Sequence, residues 1–338
     1  MNMKIGVLGA GTWGMALSAL LAKNGHDVTV WSALSHEIDY LQETKTHPNL
    51  PGTIFPDEIK YTKSIEALCD GKELILFVVA SEFIRSTAAL AAPYFEDGVI
   101  IANASKGIEK GTLKTMTEVI ADEIFLANDS LEYKLVALSG PTHAEEVAKG
   151  LPTSIVSACE DEDVSLKVAN VFINSCLRVY TNTDVLGVEI CGALKNIIAL
   201  AAGINRGMGF GDNAKAMLMT RGISEMTRIG LAMGCRRRTF MGLAGIGDLI
   251  VTCTSVHSRN NRCGELIGRG MSYEEAAAEI GMVVEGYHAL EAAMELSKKY
   301  DVEMPITLAV NDIIKNGKSP ENAMRELMSR DIKNELDT

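Results

Sequence analysis

What the sequence lacks narrows the field first. Its seven cysteines include no Cys-x-x-Cys pair, and no cluster of its six histidines lies near any of them. That spacing speaks against a zinc site or a disulfide framework. No metal is expected, and the cysteines read as small core residues of a protein kept in a reducing cytoplasm. Positive charge is scarce: 32 Lys and Arg against 44 Asp and Glu give a net charge of −12. Such a chain repels nucleic acid and anionic membrane, so no nucleic-acid partner is expected. An anionic small molecule would have to be held by a few local cations. No uninterrupted apolar run reaches the roughly 18 residues of a membrane span, so none is expected. Internal repeats and low-complexity linkers are missing too.

What is present divides in two. At 338 residues the chain exceeds one typical core and predicts two domains. The opening stretch MNMKIGVLGAGTWGMALSALLAKNG could pass for a signal peptide, but it ends without a small-residue cleavage site. A strand followed by a helix explains it better. KIGVLG (4–9), DVTVWS (27–32), ELILFVVA (73–80), GVIIANAS (98–105) and KLVALSG (134–140) are near-continuous Val/Ile/Leu runs separated by helical patterns. They predict a doubly wound, mainly parallel sheet covered on both faces. TSIVSA (153–158) and LRVYTN (177–182) read as further strands at its end. From about Val185 the β-branched runs thin out, and Ala, Met, Leu and Glu take helical spacing. The expected division is an α/β domain over 1–184 and an all-α domain over 185–338. A helix from about Leu186 to Ala202 is expected at their seam, where ligand sites often lie.

GAGTWG is a Gly-x-Gly-x-x-Gly that follows a strand and opens a helix, the context of a dinucleotide fingerprint in a Rossmann domain. Gly9 permits the tight turn, Gly11 lets backbone approach a pyrophosphate, and Gly14 lets helix pack on strand. The second strand ends in Trp31, Ser32, Ala33 and Leu34, where an NAD enzyme commonly has an acid for the ribose. No Arg there offers itself to a 2′-phosphate. Lys106, in NASKGIEKGT, sits just past a strand's carboxyl end, as do Gly140 and Thr142 in LSGPTHAEEVAKG; read alone, Lys106 is a solvated loop lysine. Thr142 is expected to cap the helix that contains Glu145. Asp248 lies in an apolar, Gly-rich stretch and would need a cationic partner if buried. Ser258, Arg259 and Asn260 offer a hydroxyl, a guanidinium fork and an amide, donors suited to phosphate; Ser258 also reads as a plain helix cap.

The most telling residue is Lys195, inside EICGALKNIIALAAG (189–203). Its helical neighbours are Val188, Cys191, Gly192, Ile198, Ala199 and Ala202, a face of small and apolar groups. A lysine there either snorkels to water or holds a charge for some purpose. It lies mid-pattern, far from a wet helix end, which favours the second. Desolvation lowers an ammonium's pKa and eases loss of its proton.

Together these motifs resemble the bacterial NAD(P)-dependent glycerol-3-phosphate dehydrogenase family. The match comprises GAGTWG, LPG (50–52), ASKGIE, LSGPTHAEEVA, EICGALKNIIALAAG, GLAGIGDLIVTCTS, SRN and VVEG (283–286), in that order, from about residue 4 to about 330. The resemblance implies a Rossmann domain followed by a helical domain. It also implies NAD or NADP as cofactor, with dihydroxyacetone phosphate and sn-glycerol 3-phosphate as substrates. It places Gly9, Gly11, Thr12, Trp13 and Gly14 at the dinucleotide, with Lys106, Ala144, Arg259, Val283 and Glu285. It places Lys106, Gly140, Thr142, Lys195, Asp248, Ser258, Arg259 and Asn260 at the substrate, and makes Lys195 the acid/base. The chain departs from the family where Ala33 and Leu34 replace a basic residue, which speaks against strong NADP use, and where Ala80 replaces a proline. Two other readings stay open from the residues themselves: a two-domain dehydrogenase of another small acid, of the 3-hydroxyacid or ketopantoate type, and a non-catalytic nucleotide-binding regulator. SRN counts against the first; Lys195 and Asp248 count against the second. No motif fixes an oligomeric state, and a homodimer stays open.

Overall fold

A computed structural model describes residues 2–332 and 334–335. The chain forms two compact units. One runs through Lys106 and resumes over Thr115–Val185; the other takes Gly107–Lys114 and the chain from Leu186 onward.

The first unit is built on eight strands: β1 (Lys4–Leu8), β2 (Asp27–Trp31), β3 (Lys60–Thr62), β4 (Leu74–Phe77), β5 (Val99–Asn103), β6 (Tyr133–Ser139), β7 (Thr153–Ala158) and β8 (Leu177–Asn182). They form one sheet in the order β3-β2-β1-β4-β5-β6-β7-β8. All neighbours run parallel except β6 and β7, which pair antiparallel. Alternate side chains feed two cores. Ile5 and Val7 pack with Met15, Leu17 and Phe172 on one face, while Ile75 and Phe77 pack with Ile84, Ala88 and Ile120 on the other. That double burial is why the central strands read as continuous apolar runs rather than alternating ones. The sheet order reverses at β1 and β4, and a cleft outside the carboxyl ends of such strands is where open α/β sheets hold ligands. Near the opposite end of β1, buried His26 accepts the Met3 N–H on Nδ1 at 3.1 Å and donates from Nε2 to the Val171 carbonyl at 3.0 Å. Burial holds its pKa below the ordinary imidazole value.

The second unit is helical. Its axis is the helix Val185–Gly207, buried along almost its whole length. By length and composition this helix could cross a membrane, but 83% of its most apolar window is buried inside the protein, so it serves as a core helix. The helix Arg259–Gly268 crosses it glycine to glycine. A Cβ on Gly203 would stand 2.0 Å from the Asn261 carbonyl oxygen, on Gly207 2.2 Å from that of Glu265, on Gly264 2.1 Å from that of Leu200, and on Gly268 2.3 Å from that of Ile204. Each pair of glycines is four residues apart, hence on one helix face, and only bare backbone permits this approach. Elsewhere Glu225, 1% exposed, accepts the Ile306 N–H at 2.8 Å and the Thr307 N–H at 2.9 Å, capping the helix Pro305–Asn316 from the helix Asp212–Ala232. The Thr307 hydroxyl adds a third bond at 2.5 Å.

Candidate active site

In the first unit, β1 runs into the Gly-rich turn. Gly9 has φ +122, a conformation that side chains rarely adopt. Its N–H donates to the Trp31 carbonyl at 2.9 Å, tying the ends of β1 and β2 together. A Cβ on Gly14 would lie 2.0 Å from the Gly9 carbonyl oxygen, so neither position tolerates alanine. Gly11 faces open space, with nothing within 4 Å of where a Cβ would stand. It precedes the helix Thr12–Lys23, whose N-terminus has no side-chain cap. A bare backbone turn leading to uncapped amides suits a pyrophosphate, and these residues therefore fit a dinucleotide. Thr12 and Trp13 are half-buried in the first helical turn, and the Asn49 side chain donates to Thr12 Oγ1 at 3.3 Å. At the end of β2 the structure supplies what the sequence reading left out. Ser32 Oγ donates to Glu37 Oε2 at 2.5 Å, bringing a carboxylate to the strand end.

Also in this unit, Lys106, Gly140 and Thr142 come together at the ends of β5 and β6. Lys106 Nζ and Thr142 Oγ1 both donate to the Gly140 carbonyl, each at 3.1 Å. Lys106 is half-buried and pinned, unlike a solvated loop lysine. The loop before it is stiff, because the Asn103 side chain grips both the N–H and the carbonyl of Ser105. Thr142 does not cap a helix. His143, one residue later, occupies the N-cap of the helix Ala144–Ala148, without a side-chain cap bond, and the Thr142 hydroxyl turns back to the Gly140 carbonyl. Ala144 opens that helix and is half-buried.

In the second unit, Lys195 is 6% exposed and Asp248 1%. Lys195 Nζ lies 2.5 Å from Asp248 Oδ1 and 2.8 Å from Thr252 Oγ1. This is a buried cation held by a carboxylate and a hydroxyl, not a snorkelling lysine. Asp248 opens the helix Asp248–Thr254 directly after a π-helical turn, Leu243–Gly247. In that turn a Cβ on Gly245 would collide with the Phe240 carbonyl at 2.1 Å. Such wide turns are rare and recur at functional sites. Thr252, one helical turn after Asp248, donates back to the Asp248 carbonyl at 2.6 Å, which points a hydroxyl lone pair at the ammonium.

Ser258 caps the helix Arg259–Gly268, accepting the Asn261 N–H at 3.2 Å. Asn260 is 8% exposed and built into the frame. It donates to Asn196 Oδ1 at 3.0 Å and accepts the Gly286 N–H at 2.9 Å, joining three helices. Arg259 is exposed, while Val283 and Glu285 are half-buried at the start of the helix Glu285–Tyr300. Thr252 was not singled out from sequence, and Asn196 stood out only as a polar residue beside Lys195, with no role given to it. Thr252 stands four residues from Asp248, and Asn196 is the neighbour of Lys195; helical spacing could have flagged the first. Among the described residues, no group of three His, Cys, Asp or Glu side chains could hold a metal ion.

Comparison with known proteins gives the family. Residues 4–165 match the family described as NAD-dependent glycerol-3-phosphate dehydrogenase N-terminus, and residues 184–325 match its C-terminus. A Lactobacillus delbrueckii subsp. bulgaricus protein named Glycerol-3-phosphate dehydrogenase NAD(P)+ 2 is 57% identical over 98% of this chain and 99% of its own length. A Fusobacterium nucleatum protein of the same enzyme name is 46% identical over 99% of each. The crystal structure of glycerol-3-phosphate dehydrogenase from Coxiella burnetii superposes with a TM-score of 0.92 at 36% identity, covering 97% of this chain and 99% of that one. With both of its halves matched and its fold shared, this chain belongs to the NAD-dependent glycerol-3-phosphate dehydrogenase family.

Proposed function

We propose that the chain catalyses the reversible reduction of dihydroxyacetone phosphate to sn-glycerol 3-phosphate with NADH or NADPH, supplying a backbone for glycerophospholipid synthesis in the cytoplasm. The observation that carries this reading is the buried Lys195–Asp248–Thr252 triad in the helical unit of a family member. The nicotinamide cofactor, when bound, supplies or accepts the hydride. Everything else falls to the protein's own groups. As a carbonyl is reduced its oxygen gathers negative charge and needs a proton. Lys195 stabilises that oxygen as an ammonium and gives up a proton to it; in the reverse direction it takes the proton back. Asp248 keeps the lysine protonated and aimed, and Thr252 fixes its rotamer. Little water reaches this lysine, so its charge acts at higher strength than at the surface.

Arg259 is the phosphate clamp in this reading. It is exposed at the start of a helix whose free amides favour an anion. Ser258 and Asn260 shape that helix start rather than act as mobile ligands, since their hydrogen bonds are already made within the frame. The test is oxidation of NADH and NADPH with dihydroxyacetone phosphate, hydroxypyruvate and ketopantoate in parallel. Turnover confined to dihydroxyacetone phosphate is expected. Turnover on either of the other two acids and not on it would replace this reading with that of a small-acid reductase.

A further inference from the structure

We infer that Glu37 is the carboxylate that reads the adenine-side ribose, and that it makes NADH the preferred cofactor by repelling a 2′-phosphate. The inference rests on the dinucleotide reading of the Gly-rich turn.

Four observations carry it. First, position: Ser32 follows β2 directly, and the Gly9 to Trp31 hydrogen bond sets that strand end beside the pyrophosphate turn. Second, orientation: Ser32 is 8% exposed, gives its hydroxyl proton to Glu37 and accepts the Leu34 N–H at 3.1 Å. Its single donor is thereby spent on the carboxylate, which it holds in place. Glu37 itself lies in the first turn of the helix Ser35–Thr44, its N–H bonded to the Leu34 carbonyl at 3.0 Å.

Third, capacity: Glu37 Oε2 takes the serine, while Oε1 accepts no hydrogen bond from the described residues. A ribose diol offers hydroxyl donors for such an oxygen, whereas a 2′-phosphate brings close to two negative charges against it. Fourth, among the described residues no Lys or Arg forms an ion pair with Glu37: Lys45 pairs with Asp57, Lys60 with Asp27 and Lys63 with Asp39. His47 senses the Glu37 charge, which favours its cationic form, but burial outweighs this and holds its pKa below the ordinary imidazole value. Its loop is fastened to the Gly-rich turn through Asn49 and Thr12. The acid missing from the strand end is thus present five residues later, folded back by a serine.

The simpler alternative is that Ser32 and Glu37 only shape the start of their helix. Calorimetric titration of the full chain with NAD+ and NADP+ separates the two, in the wild type, Glu37→Gln and Glu37→Lys. The wild type is expected to bind NAD+ at least about tenfold tighter, about 1.4 kcal/mol. Glu37→Gln should narrow that gap roughly tenfold by gaining NADP+ affinity, and Glu37→Lys should invert it. In the wild type, added KCl should improve NADP+ binding relative to NAD+ by screening the repulsion, a measurement that needs no variant. A wild type that prefers NADP+, or a ratio that neither variant nor salt moves, overturns the assignment of Glu37. If the wild type binds neither dinucleotide, the reading of the turn fails and this inference fails with it.

Discussion

Lys195 keeps its charge under cover because Asp248 and Thr252 receive its hydrogens. Lys195→Ala is expected to lower kcat by about 10²–10⁴-fold, the usual worth of an acid/base group, while NAD+ binding survives. The same variant leaves Asp248 buried without its cation, which costs roughly 3–5 kcal/mol, so its Tm should fall as well. Steady-state rates and a thermal scan check both, and near-normal turnover would remove Lys195 from the chemistry. Arg259→Ala should raise KM for dihydroxyacetone phosphate by about 1.5–3 kcal/mol of lost charge-assisted bonding. Unphosphorylated dihydroxyacetone should be hurt far less, and equal losses on both would show that Arg259 does not read phosphate. The burial of Lys195 was legible in the sequence, because a charged residue among small apolar neighbours at helical spacing announces itself. Asp248 was legible differently, as a carboxylate in an apolar, Gly-rich stretch that would need a cation if buried, and Lys195 is that cation. Glu37 was not, because the fold-back that carries it to the end of β2 is made by one serine hydroxyl and leaves no periodic trace.

Between elements, bare backbone contact decides the geometry. The helices Val185–Gly207 and Arg259–Gly268 meet at four glycines, and the second begins at Ser258 and Arg259. A methyl on Gly264 meets the Leu200 carbonyl, which no rotamer change relieves. Gly264→Ala is expected to cost at least about 1–3 kcal/mol despite alanine's better helix propensity, and denaturant titration gives the value. Glu225→Ala orphans two backbone N–H groups and a hydroxyl at the buried start of the helix Pro305–Asn316, and should cost at least about 2 kcal/mol by the same measurement. Seven of the eight strands could be read from apolar runs. β3 could not, because three residues carry no pattern. The antiparallel pairing of β6 and β7 also escaped, since a buried strand looks the same in either direction. The cap expected from Thr142 failed because the helix begins one residue later than the sequence suggests, which puts His143 at the N-cap position and leaves the Thr142 hydroxyl to donate to the Gly140 carbonyl.

At the scale of the whole molecule, one buried ring ties the start of the first unit to a helix far along the chain. His26 must be neutral to accept the Met3 N–H on Nδ1. Its folded pKa lies below 6.5, so the unfolded chain binds more protons at mildly acid pH. This contribution to stability is complete above about pH 6.5 and is lost as pH falls through the folded value. His47 shifts in the same direction. Urea midpoints at pH 7.5 and 5.5 should therefore differ, and His26→Gln should flatten but not abolish the drop. A midpoint difference unchanged by the variant would assign the acid sensitivity elsewhere.

Gly107–Lys114 belongs with the helical unit, with Ile108 among its apolar core and Lys110 paired to Glu291 at 3.0 Å. On the ribosome this short piece emerges before Leu186, and at about 5–20 residues per second it waits for seconds before its partners exist. No single cleavage between Val185 and Leu186 would yield two fragments that each carry their own complete core. The piece that starts at Leu186 would lack Ile108, and the other would expose it. Splitting the gene at that point should give insoluble halves, whereas adding residues 107–114 as a separate peptide should restore order to the helical fragment.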